Sequence, residues 1–218
     1  MKTTIADFVL CGLAIAALVA ASLAVVLLGI RPFSRALTGD YHVIVDFLAL
    51  LLCYGVLSAA LLRILLAIRP IVPGEYAMDA PVFGYWKVLT IIYRLGQKAL
   101  LPFTPEFVRP LVVRLFGARV GHDVAIGGTI DDPYLISLGD RVVIGNHALV
   151  SGSVINNGRV VLGHVSIGSD ATVGANAIVL PGAEIGERAL VASASVVIAA
   201  TRIPAGEMWR GNPARKWQ

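Results

Sequence analysis

The sequence predicts a mainly β protein: a parallel β-helix of hexapeptide repeats, preceded by a two-helix transmembrane hairpin and a short helical junction. Three observations carry this. Aliphatic residues recur every six positions in the second half of the chain. Two long apolar runs lie before residue 70. Charged residues make up 15% of the chain, against about 25% in soluble domains, and the deficit is concentrated in those first seventy residues. The boundaries that follow are a hairpin over residues 1–69, a junction over 70–117 and a β-helix over 118–218.

The first run, "IADFVLCGLAIAALVAASLAVVLLGI" (Ile5–Ile30), holds one acidic residue, near its start. About 20 residues of helix cross a bilayer, so the run is long enough. It exceeds the apolar core of a cleaved signal peptide, about 7–15 residues. The second run, Val43–Ile68, carries Asp46 near its start and Arg63 near its end, and each can reach the interface there. The link "RPFSRALTGDYH" is short, so the spans are antiparallel and both chain ends lie on one side. Lys2, Arg69, Lys87, Arg94 and Lys98 outnumber Arg31 and Arg35 of the link, which favours an integral membrane protein (inner or plasma membrane) with a cytoplasmic C-terminal domain. Cys11 and Cys53 sit inside apolar runs and read as small hydrophobic fillers without metal spacing.

In the junction, "YWKVLTIIYRLGQKALL" (Tyr85–Leu101) mixes apolar residues and cations at helical spacing. It suits a helix on the membrane surface or one packed under the next domain. A shorter helix begins after Pro105 and ends at Gly117.

From Val120 the period becomes six. Leu138, Ile144, Val150, Ile167, Val173, Val179, Ile185, Val191 and Val197 mark it. Gly usually follows, and the fifth position is small: Ala148, Ala171, Ala177, Ala183, Ala189, Ser195. Six matches neither a helix nor strand alternation, but it matches a hexapeptide β-helix. Each block forms one side of a prism, three blocks form a coil, the aliphatic residue points inward and Gly accommodates the bend. Stacked coils bury a continuous core. "DPYLIS", from Asp132, departs from the pattern. So does "SGSVINNG": five residues, Asn156–Val160, loop out between two coils, which would stack Leu138 beneath Val161 and Ile144 beneath Ile167. Polar excursions from a rigid scaffold are where function concentrates.

The segments "FTPEFVRPLVVRLFGARVGHDV", "DPYLISLGDRVVIG", the repeat and the terminal "IPAGEMWRGNPARK" resemble the hexapeptide-repeat acyltransferases of left-handed β-helix fold. The likeness extends to the membrane-linked C-terminal part of ε-poly-lysine-synthetase-like enzymes, over roughly residues 70–216. It implies a homotrimer with sites between neighbouring prisms, acetyl-CoA or another acyl-CoA in the groove as co-substrate, and a general-base histidine on the looped-out segment. Histidine suits that role because its pKa lies near working pH. The position matching that histidine is Ser153 here.

Two histidines flank the loop as substitutes, His164 in "VLGHVS" and His147 in "IGNHAL"; His122 reads as structural. Ser153, Asn156 and Asn157 can orient an acceptor by hydrogen bonding but cannot take up a proton near neutral pH. Asn176, Arg202, Arg210, Arg215 and Lys216 are the candidate cofactor contacts, since Arg clamps phosphate in a bidentate way. Trp209 and Trp217 suit the cap that a solenoid end requires. Two functions stay open: a membrane-anchored acyltransferase acting on an unknown hydroxyl or amine acceptor, or an inactive β-helix scaffold within a larger membrane complex. The net charge of +4 is too weak and scattered for nucleic acid but fits membrane lipid or a phosphorylated cofactor. The four histidines form no closely spaced pair, so no metal is expected.

Overall fold

The computed structural model describes residues 5–217. The chain forms two compact units. One is the chain up to Ile71 with Pro81–Thr104; the other is Val72–Ala80 with the chain from Pro105 onward.

The first unit is helical. α1 (Ile5–Ala24) continues through a π-helical turn, Val25–Ile30, into α2 (Arg31–Thr38). The chain reverses at Gly39, whose φ of +54° suits a residue without Cβ, and returns as α3 (His42–Ile68). The expected link is therefore mostly helix, and the turn itself is only Gly39–Tyr41. α1 and α2 pack along α3, and α4 (Pro81–Leu100) packs on both α1 and α3. Asp7–Ile68 has the length and composition of a membrane-crossing stretch. Lys2, used in the orientation argument, lies outside the described residues.

This unit buries large apolar side chains, among them Leu62, Phe83, Leu89 and Ile92, together with small and hydroxylated residues. Ser22 and Ser58 are fully buried, as is Ala59, and their hydroxyls donate to the carbonyls of Leu18 and Tyr54 at 2.6 and 2.7 Å. A Cβ at Gly55 would come within 2.3 Å of the Leu100 side chain. Other large apolar side chains point outward: Leu13 is 62% and Leu28 81% exposed. Asp46 accepts from the Ser34 hydroxyl at 2.6 Å and lies 3.9 Å from Arg31. Lys87 of α4 forms an ion pair with Asp7 of α1.

The second unit is a parallel β-solenoid. One sheet stacks β2 (Arg119–Val120), β5 (Ile136–Leu138), β10 (Val165–Ile167), β13 (Glu184–Ile185) and β16 (Arg202–Ile203). A second stacks β3 (Ala125–Ile126), β6 (Val143–Ile144), β11 (Thr172–Val173), β14 (Leu190–Val191) and β17 (Met208–Arg210), closed by antiparallel β18 (Arg215–Lys216). A third stacks β4 (Thr129–Asp131), β7 (Leu149–Ser151), β12 (Ile178–Val179) and β15 (Val196–Val197). All nine predicted aliphatic positions are at most 4% exposed, and the six small positions at most 1%. Burying each of the Leu, Ile and Val side chains contributes roughly 1.5–3 kcal/mol. Val113, on α5 (Arg109–Leu115), joins this core. At the far end Trp209 packs on it, and the Trp217 ring lies under the Arg210 guanidinium.

The repeat glycines do not make the bend. The bend falls two residues later, where Arg141, His147, Asp170, Asn176, Arg188, Ala194 and Ala200 all have φ between 54° and 61°. The glycine serves coil stacking: a Cβ at Gly145 would lie 2.5 Å from the Ala175 nitrogen, and one at Gly174 2.5 Å from the Ser193 nitrogen.

The register also differs from the expectation. Leu138 pairs with Ile167 and Ile144 with Val173, not with Val161 and Ile167. That coil takes 29 residues, against 18 between Ile167 and Ile185. The excursion is therefore eleven residues rather than five, and it is an ordered hairpin of β8 (Ser153–Asn156) and β9 (Arg159–Leu162). Along β9 lies a strand absent from the sequence reading, β1 (Gly74–Ala77), within the segment read as helical junction.

Candidate active site

The solenoid's candidate residues fall on two different edges. The first edge is the break between the third and first sheets. Here β8 leaves the prism, β9 returns to it, and Ser153 faces Leu162 across the ladder. The Gly163 N–H donates to the Gly152 carbonyl at 2.9 Å, closing the foot of the hairpin. Ser151, 6% exposed, donates its hydroxyl to the Ser153 carbonyl at 2.7 Å and accepts from the Ser153 N–H at 3.3 Å. His164 follows directly, exposed, between β9 and β10. Ser153 and His164 therefore stand on the two legs of one hairpin, at its foot.

Sequence reasoning missed Asp132 on this edge. The residue is 3% exposed, its φ is 54°, and the Tyr134 hydroxyl donates to its carboxylate at 3.0 Å. A Cβ at Gly152 would meet the Leu135 side chain at 2.7 Å and Asp132 at 3.2 Å, so the short helical turn Pro133–Leu135 sits against the hairpin foot. The signal was present in the sequence: "DPYLIS" broke the period. The break is two residues longer than a regular coil, since Ile130 pairs with Val150.

The second edge lies between the second and third sheets. His147 and Asn176 occupy the same bend in consecutive coils, with φ of 58° and 57°, and the Asn176 N–H donates to the Asn146 carbonyl at 3.0 Å. Ala194 takes the equivalent bend in the next coil. The top of this edge is the turn after Arg210, whose strand pairs it with Arg215. With strands about 4.8 Å apart, some 15 Å separate the His147 level from the arginines. His122 sits on the third edge, its N–H held by Asp140 at 2.7 Å.

The remaining cations are partnered. Arg202, on the outer face of the first sheet, lies 2.8 Å from Glu184. Lys216 lies 2.6 Å from Glu207. Hydrogen bonds from Lys216 and then from the Trp209 indole hold the Glu207 carboxyl below the usual range. Among the described residues no group of three or more His, Cys, Asp or Glu side chains is placed to hold a metal.

Residues 164–199 match the family model described as bacterial transferase hexapeptide (six repeats). That segment is similar to bacterial transferase hexapeptide repeats. That match begins at His164 and runs through the regular coils above the hairpin. No curated protein matches the chain. Three solved structures illustrate what it is similar to. A hexapeptide-repeat containing acetyltransferase from Vibrio cholerae O1 biovar eltor, complexed with acetyl coenzyme A, is 25% identical over 47% of this chain and 60% of its own, with a TM-score of 0.44. A maltose O-acetyltransferase from Clostridium difficile 630 is 19% identical over 72% of this chain and 95% of its own, with a TM-score of 0.44. A serine acetyltransferase from Neisseria gonorrhoeae is 18% identical over 77% and 65%, with a TM-score of 0.37.

Proposed function

We propose that this protein is a membrane-anchored acyltransferase that moves an acetyl or other acyl group from CoA to a hydroxyl or amine acceptor. The observation that carries the reading is the hairpin breaking a bacterial transferase hexapeptide solenoid, with His164 at its foot. His164 is the base: its imidazole takes the proton as the acceptor attacks the thioester carbonyl. Asp132 and Ser151 brace the backbone that aims it.

Acyl-CoA lies along the other edge, phosphates toward Arg210 and Arg215 and the thioester end toward Asn176 and His147. Two edges of one prism cannot converge on one acyl group, so the reading requires a homotrimer of left-handed prisms, each hairpin facing its neighbour's His147 edge. The helical hairpin crosses the membrane. Its outward leucines suit lipid, and its buried serines and glycine suit close helix contact where no water drives association. The solenoid is cytoplasmic.

A second reading, a catalytically silent scaffold in a membrane complex, is favoured by Ser153 standing where the resemblance places a histidine. It is also favoured by the carboxylates that already occupy Arg202 and Lys216. Calorimetry of acetyl-CoA on the detergent-purified chain separates the two. Micromolar binding weakened tenfold or more by Arg215→Ala supports the enzyme. No heat at millimolar ligand leaves the scaffold. Given binding, His164→Ala is expected to lower acyl transfer by about 10²–10⁴ with Kd unchanged.

A further inference from the structure

We infer that the acceptor is a membrane-held lipid, its nucleophile a hydroxyl or amine of the headgroup, an inference that rests on the acyltransferase reading above. The argument begins with β1. All four of its residues are in register with β9: Gly74 with Leu162, Glu75 with Val161, Tyr76 with Val160 and Ala77 with Arg159. Sheet alternation puts Glu75 and Arg159 on one face, where they form an ion pair at 3.5 Å. It puts Val160 and Leu162, both at most 2% exposed, on the other, the face Ser153 shares through its pairing with Leu162. The strand N-terminal to the hairpin is further braced where the Tyr76 hydroxyl donates to the Val72 carbonyl at 2.9 Å. β9 is therefore the centre of a three-stranded sheet, with β8 on one side and, on the other, a strand supplied by a distant part of the chain.

That distant part is the end of the apolar hairpin. Only Arg69–Pro73 separate α3 from β1. An extended chain advances at most about 3.3–3.6 Å per residue, so covalent geometry alone limits the path from Ile68 to Gly74 to about 20 Å. This is less than the roughly 30 Å thickness of a bilayer's hydrocarbon core. An enzyme for a small soluble acceptor gains nothing from tying its acceptor hairpin to a membrane span by so short a tether. Ile155 of the sheet and Val72, just before β1, are apolar and exposed, at 43% and 62%, as suits a surface that meets the acyl–headgroup boundary.

The reaction balances without further reagents. The headgroup oxygen or nitrogen attacks the thioester carbonyl; a C–O or C–N bond forms and the C–S bond breaks. The proton lost by the nucleophile passes through His164 to the CoA sulfur, leaving an acylated lipid and free CoA.

The test uses the full chain in vesicles with radiolabelled acetyl-CoA. Phosphatidylethanolamine and phosphatidylglycerol vesicles are compared with the same vesicles capped by inert headgroups and supplied with soluble ethanolamine and glycerol. We expect label in the chloroform-extractable lipid at a rate per nucleophile at least tenfold above that of the soluble compounds. Equal or faster transfer to the soluble compounds overturns the inference, as does a protein that binds acetyl-CoA yet labels no lipid. A protein that binds no acetyl-CoA overturns the acyltransferase reading instead. Any membrane protein meets lipid at high local concentration, so a second variant isolates the tether: twenty Gly/Ser residues inserted between Arg69 and Gly74. The lipid preference should fall below threefold with acetyl-CoA affinity unchanged; an undiminished preference overturns the role given to β1.

Discussion

The two units of this chain differ in how much apolar surface they leave outside. In the solenoid, aliphatic side chains at every sixth position point in and charges point out, as water requires. In the helical unit Ser22, Gly55, Ser58 and Ala59 are inside beside Leu62, Phe83, Leu89 and Ile92, while Leu10, Leu13, Leu28 and Ile64 are outside. Length and composition alone admit a buried core helix or a leader as readily as a membrane span. The membrane reading proposed above rests on the leucines left outside, and small residues at helix contacts suit association where the surroundings are already apolar.

The comparison is easiest to break with one charge on each side of it. Val173→Asp places a carboxylate at a fully buried, unpartnered site, a cost above roughly 4–5 kcal/mol. We expect loss of the cooperative β-sheet melt by circular dichroism. Leu13→Asp, 62% exposed, would be nearly neutral in water. If α1 spans a membrane as proposed, the same change costs about 2.5–3.5 kcal/mol, and the chain should leave the carbonate-washed membrane fraction. If Leu13→Asp remains fully membrane-integrated, the outward leucines do not face lipid. Glycine gives a smaller contrast. Gly174→Ala drives a Cβ into the next coil at 2.5 Å, whereas Gly29 has nothing within 4 Å. Overpacking of this kind costs about 1–3 kcal/mol, so the first should lower the solenoid's Tm by several degrees and Gly29→Ala should leave it unchanged.

Much of the solenoid was legible because one rule repeats. Six-residue spacing set the inward residues, and every one of Leu138 through Val197 obeyed it. What the repeat could not convey was its own interruption. Counting from Asn156 to Val160 found only the residues that look like a loop. Ser153–Ile155 and Val161–Leu162 have strand character, so they read as repeat although they belong to the hairpin. The strand Gly74–Ala77 was invisible for a related reason: four residues carry no periodicity, and its reason to be extended lies 85 residues away, in Arg159–Leu162. The bend was misplaced too. Gly draws attention to itself, yet the left-handed position is held mostly by Arg, His, Asp, Asn and Ala, and by glycine at Gly182 and Gly206. Asp132 escaped because a carboxylate beside proline reads as a turn, and only the fold shows it buried under Tyr134.

The smallest effect probes the solvent-facing side of the solenoid. Arg141 and Asp170 take the same left-handed bend in consecutive coils, and the guanidinium grips the carboxylate with two hydrogen bonds at 2.7 and 2.8 Å. The hydrogen bond from Arg141 holds the Asp170 carboxyl below the usual range, helped by the charges of Arg141 and Arg188. A folded-state pKa below the unfolded value of about 3.9 means that the stabilisation is fully present above that value. It is lost as pH falls through the folded one. Both groups are open to water, so the effect on stability is small and weakens with salt. The direct readout is the carboxyl titration followed by ¹³C NMR. Arg141→Asn is the informative variant, because asparagine tolerates positive φ and so removes the charge without straining the bend. The Asp170 midpoint should rise toward the ordinary value while the melt is unchanged. An unmoved midpoint would mean that the coil-to-coil bonds fix this edge without the ion pair, leaving the surface charges of the solenoid free for other partners.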